Sequence, residues 1–174
     1  SATMAAEVLG ATFIGFALTL LFGAALVDLI GMRRMLLFSA LGYFYGSVMV
    51  VVASFMAPTV AAYWVVYFGL LLTGLGWGAV EAATNPLIAA AYPDEKTHRL
   101  NILHAWWPAG IVIGGLIGIL LAMMGMPWQV NLLVLMLPAI VLVLVVHRAE
   151  FPVTERVIMG LSDEEMFIQL PRSP

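Results

Sequence analysis

Residues 59–91 read TVAAYWVVYFGLLLTGLGWGAVEAATNPLIAAA, and in that whole run Glu81 is the single charged side chain. A helix needs about 20 predominantly apolar residues to cross the ~30 Å hydrocarbon core of a bilayer. This stretch is long enough to cross and too apolar to lie in water. Working outward, similar runs recur over residues 8–27, 35–56, 100–124 and 128–146. The first span is expected from Val8 to Val27 and the second from Met35 to Met56. The third should run from Thr59 into Asn85-Pro86, with a possible extension to Ala91. The fourth is expected from Leu100 to Met124, and the fifth from Trp128 to Val146.

Composition says the same. Of 174 residues, 63% are hydrophobic and 10% charged, and the mean hydropathy is +1.06. Soluble domains carry about 25% charged residues, so a soluble enzyme, a nucleic-acid binder and a disordered tail are all excluded. The net charge of -3 gives DNA or RNA phosphates nothing to hold. Transmembrane β-strands would show segments of ~10 residues with alternating polarity, and none is visible. The fold class is therefore an all-α integral membrane bundle of five crossings, in contact with the lipid bilayer. The remaining residues, 147–174, form a polar tail in which a short amphipathic helix from Ser162, with Glu165 at the capping-box position, is one expectation.

The chain contains no cysteine, so it has no thiolate nucleophile or sulfur ligand. His98, His104 and His147 show no zinc spacing. No enzyme, cofactor or metal is expected. Ser1 to Glu7 lack a basic region, so the first span does not resemble a cleavable leader.

Basic residues set an orientation. Arg33 and Arg34 follow span one, Lys96 and Arg99 follow span three, and Arg148, Arg156 and Arg172 follow span five. With five crossings all seven Lys and Arg fall on one face, while Ala57-Pro58 and Gly125-Met126-Pro127 on the other face carry no charge. The positive-inside rule makes the basic face cytoplasmic. The N-terminus is then outside, the C-terminus is cytoplasmic, and a bacterial inner membrane is the expected location.

A carboxyl at membrane depth is costly, so it normally faces a cavity or a partner and marks an ion or solute path. Helical spacing puts Trp77, Glu81 and Asn85 on one face. This set of indole, carboxyl and amide suits a small polar solute such as a sugar, with protons exchanged at Glu81. The alternative is a neutral structural acid bonded to another helix. Asn85-Pro86 should break the hydrogen-bond ladder near the inner end of this span, since proline lacks the amide donor; this either frees carbonyls to line a cavity or is a passive kink. Asn101 and His104 open span four, where His104 is either a proton relay or an interfacial histidine. Trp106 and Trp107 suit an interfacial aromatic belt. Gly110, Gly114 and Gly118, with Gly115, form a small-residue face suited to helix packing. Asp28, Gly31, Arg33 and Arg34 turn the chain after span one.

That turn resembles the loop motif between helices two and three of the major facilitator superfamily. The motif runs glycine, three residues, Asp, a basic residue, any residue, Gly, any residue and two basic residues. Asp28, Gly31, Arg33 and Arg34 match it, while Ala24 and Leu29 depart from it. Glu81-Ala82-Ala83-Thr84-Asn85-Pro86 followed by Arg99-Leu100-Asn101 is similar to the Glu-x-x-x-Asn-Pro and Arg-Leu-Asn signature of the fucose:proton symporter branch. The continuation His104-Ala105-Trp106-Trp107-Pro108 differs from that branch.

The resemblance implies that the five spans are helices two to six of the N-terminal half and the tail is the linker between halves. It implies a secondary transporter of a small polar solute coupled to protons. Asp28, Gly31, Arg33 and Arg34 would form its cytoplasmic gate, and Glu81 would be its proton site. Antiporters of the family carry a proline-containing glycine motif on helix five; Gly114-Gly115 lacks that proline, which points to symport or uniport. The expected partners are helix one and a C-terminal half, which have no counterpart in these residues. Should the chain instead be a transporter-derived structural subunit, the partners would be other membrane subunits.

Overall fold

The computed structural model describes residues 2–152, so the expected amphipathic segment at Ser162 and Glu165 lies outside the described residues. Its helices are α1 (Ala2–Ile30), α2 (Met32–Met56), α3 (Val60–Ala91), α4 (Lys96–Met123), α5 (Trp128–Leu135) and α6 (Leu137–Arg148). Five segments are long and apolar enough to cross a bilayer, with α5 and α6 together forming the fifth. The architecture is that of an all-α membrane bundle.

Side-chain size decides how these helices meet. In lipid no hydrophobic force drives helices together, so close backbone approach by small residues replaces it. The central helix is α3, with α1 and α2 packed along it. Its buried face consists of Ala62, Gly69, Gly74, Gly76, Gly78, Ala79 and Ala83. At Gly74 even a Cβ would run into the backbone of Thr12 on α1. Across the other flank, a Cβ on Gly76 would lie 2.8 Å from the Ser39 carbonyl oxygen of α2. Larger apolar residues appear where α6 joins, in a cluster of Val27, Met32, Met35, Leu36, Ala79, Ala83 and Val146 at the basic end of the bundle.

By contrast, α4 leans on α3 and α5 and has no buried residue. The glycine face expected there meets little within the chain. A Cβ on Gly110 would meet nothing, one on Gly114 only the Leu135 side chain at 3.7 Å, and one on Gly118 the Asn131 amide at 3.2 Å.

Connections are short. A single residue, Gly31, joins α1 to α2, and its φ of 86° is a conformation open to glycine and strained for other residues. The end of α4 is a Schellman turn around Gly125 (φ 71°), in which Gly125 N–H donates to Ala122 O and Met126 N–H to Leu121 O, both at 3.0 Å. Thr59 caps α3 by accepting from Ala62 N–H at 3.1 Å.

Three details add to the expected spans. First, α3 takes the longer of its two expected ends, running past Pro86 to Ala91. Side chains on the preceding turn stay on the helix surface, with Asn85 Nδ2 donating to Glu81 O at 3.2 Å and Thr84 Oγ1 to Val80 O at 2.8 Å. Second, the fifth span is one crossing, Trp128–Arg148, with a local irregularity at Met136. Pro138 has no N–H to give to Val134, and Ala139 N–H donates instead to Met136 O at 3.1 Å. Met136 keeps right-handed helical angles (φ -75°, ψ -21°), so the crossing keeps its direction. Third, α1 starts at Ala2, ahead of Val8, and carries Glu7 into the helix. There the Tyr63 hydroxyl of α3 donates to Glu7 Oε2 at 2.8 Å.

Candidate functional site

Around Glu81 lies a cleft of about 620 Å³ bounded by α1, α3 and α4. Phe16 comes from α1; Trp77, Val80, Glu81 and Thr84 from α3; and Leu103, His104, Trp106 and Trp107 from α4. The i, i+4 spacing on α3 presents Trp77 and Glu81 together, as their sequence positions required.

Trp77 is the wall that links the three helices. Its ring packs on Phe16 at 4.2 Å between centroids, meets the edge of Phe13 at 6.3 Å and lies nearly parallel to Trp107 at 6.3 Å. Such pairs fix ring orientation beyond what area burial alone would do. Trp106 and Trp107, expected in an interfacial belt, also line the cleft. Their neighbours on α3 come from a different part of the chain, so no local spacing could have placed them there.

Glu81 is half-buried, and among the described residues no hydrogen bond or ion pair engages its carboxylate. His104 opens into the same cleft from α4. Asn85 and Asn101 are not part of it. The Asn85 amide folds back on its own helix, with Oδ1 buried and unpartnered. Asn101 is exposed on the first turns of α4. Among the described residues, no group of three or more His, Asp and Glu is placed to hold a metal ion.

At the basic end, Asp28 lies half-buried near the end of α1 and Arg34 is exposed. Arg33 crosses to the end of α6. Its Nε donates to Val146 O at 3.1 Å and its Nη2 to His147 O at 2.7 Å and Ala149 O at 3.4 Å. The guanidinium also lies 5.8 Å from the Phe151 ring centroid. A cation at a helix C-terminus meets the negative end of the dipole as well as unpaired carbonyls. Replacing Arg33 with Ala is expected to raise hydrogen exchange in residues 146–151 roughly tenfold while leaving α3 protected. Unchanged exchange in that segment would show that the clamp contributes nothing.

A solute-sized cleft with mostly apolar walls and a few polar groups, set in a helical membrane bundle, suits a solute carrier. The family profile described as Major Facilitator Superfamily matches residues 1–170, and the chain belongs to that superfamily of secondary transporters. No match was found among curated proteins or among solved structures.

Proposed function

We propose that the chain forms helices two to six of a proton-coupled symporter for a small polar solute, with Glu81 binding the coupled proton. One observation supports this most strongly. The Glu81 carboxylate faces an aromatic-walled cleft at membrane depth without a partner among the described residues. A charge left there is costly; protonation removes that cost and makes the carboxyl a hydrogen-bond donor to the solute, so the bound proton favours the bound solute. Trp77 offers a flat apolar wall, and His104 a second hydrogen-bonding group. A sugar is one member of the solute class that the sequence similarity to the fucose:proton branch brings forward. Asp28, Gly31, Arg33 and Arg34 act at the cytoplasmic gate.

Proton entry into proteoliposomes, recorded with an internal pH dye, tests coupling. Addition of a transported solute should acidify the lumen, and solute entry without proton entry would remove the coupling.

The orientation proposed for a bacterial inner membrane, N-terminus outside and C-terminus cytoplasmic, is tested by cysteine labelling. Cysteine at Pro58 should react with an impermeant reagent from outside, and cysteine at Lys96 from the cytoplasmic side. The reverse pattern would invert the topology.

A further inference from the structure

We propose that a groove at the end of the bundle opposite Arg33 and Arg34 holds a phospholipid with a primary-amine headgroup. Its acyl chain lies in the groove, and its ammonium sits among the acceptors of Glu7 and Gln129. This site shares no residue with the Glu81 cleft and does not depend on what that cleft carries.

The groove has a volume of about 370 Å³ and opens between α1, α2, α3 and the start of α5. Ala5 and Val8 of α1, Val50 and Ala53 of α2 and Val66 of α3 line it. These side chains offer a hydrocarbon chain dispersion contacts along its length. Depth sets the mouth of the groove among lipid headgroups. From Glu7 to Ile30, where α1 ends, the helix rises about 35 Å at ~1.5 Å per residue. That exceeds the ~30 Å hydrocarbon core, so a helix with Ile30 at one face carries Glu7 to the other. Tyr63 and Trp128, which also line the groove, are side chains suited to that interface.

The headgroup follows from the polar atoms at this end. The Tyr63 hydroxyl donates to Glu7 Oε2 at 2.8 Å, which ties the carboxylate to the groove wall. Among the described residues every lysine and arginine belongs to the opposite end of the bundle, at the starts of α2 and α4 and the end of α6. An anionic headgroup would therefore meet a like charge and no basic side chain. From α5, Gln129 Nε2 donates at 3.2 Å to Ser54 Oγ, and Ser54 lines the groove. The other amide atom, Gln129 Oε1, is buried and has no partner among the described residues, a costly state for an acceptor. A carboxylate and an amide oxygen both call for N–H donors. A primary ammonium brings three of them with its charge, as a lysine does. A choline headgroup brings the charge alone, and a glycerol headgroup brings neither.

Native mass spectrometry of the detergent-solubilised protein tests this, with phospholipids of identical acyl chains carrying ethanolamine, choline or glycerol headgroups. Supplied in equal amounts, the ethanolamine lipid should be retained at least about tenfold over the other two. Glu7→Gln should bring it down to the choline level. Ala5→Trp, which puts an indole into the groove, should lower retention of all three. Glu150→Gln, which removes an exposed acid at the basic end, should leave the preference intact. Unchanged far-ultraviolet circular dichroism shows that each variant is folded. Equal retention of the ethanolamine and choline lipids, or a preference that survives Glu7→Gln, would overturn the proposal. So would retention of no lipid at all, the result if another protein segment fills the groove.

Discussion

Glu81→Gln is expected to abolish proton-driven accumulation while leaving exchange of solute across the membrane. The amide keeps the size and most of the hydrogen-bonding shape of the carboxyl but has no proton to release. One pH unit sustains about a tenfold solute gradient when one proton moves with each solute. In the glutamine variant that ratio should settle near one, as measured by radiolabelled solute in proteoliposomes with an imposed pH gradient. Counterflow, which needs binding and reorientation but no net proton movement, should persist. Accumulation at the wild-type level would remove Glu81 from coupling and leave it as a structural acid.

The second large effect concerns how the bundle holds the cleft open. Gly74→Val should displace α1 from α3, because the first added carbon already falls on the Thr12 backbone. Backbone cannot rotate away as a flexible side chain does. The destabilisation should be about 3 kcal/mol or more, read as a lower midpoint in a circular-dichroism melt of the detergent-solubilised protein. Gly110 is the matched control: a Cβ there meets nothing, so Gly110→Ala should melt at or above the wild-type midpoint. If both variants melt alike, close packing of α1 on α3 does not hold this bundle together.

Much of this organisation is legible in the sequence because the bilayer imposes it. A ~30 Å apolar layer demands long apolar runs, and those runs fall where the five crossings are. The pairing of Trp77 with Glu81 follows from helical spacing alone. Asn85 shares that spacing yet leaves the cleft, because an amide near a helix backbone can bond to the carbonyl four residues back. Hydropathy carries no trace of that competition. Trp107 and Phe16 were out of reach for another reason: they meet Trp77 through contacts between separate helices. Glu7 likewise enters α1 through a partner far along the chain, Tyr63. The Arg33 clamp on α6 joins residues 113 or more positions apart, whereas the sequence motif marks only that Arg33 belongs to the turn.

The clearest single test is whether water and solutes reach the wall of the Glu81 cleft. The chain contains no cysteine, so one introduced at Thr84, which lines the cleft, reports on that wall alone. Cysteine at Val141 on α6, exposed on the bundle surface and not among the residues lining the cleft, reports on the lipid-facing background. A hydrophilic thiol reagent applied to the membrane-embedded protein should modify Thr84→Cys readily and leave Val141→Cys almost unmodified. Equal inertness at both positions would mean that the cleft is sealed from water, and that solute does not pass along Glu81.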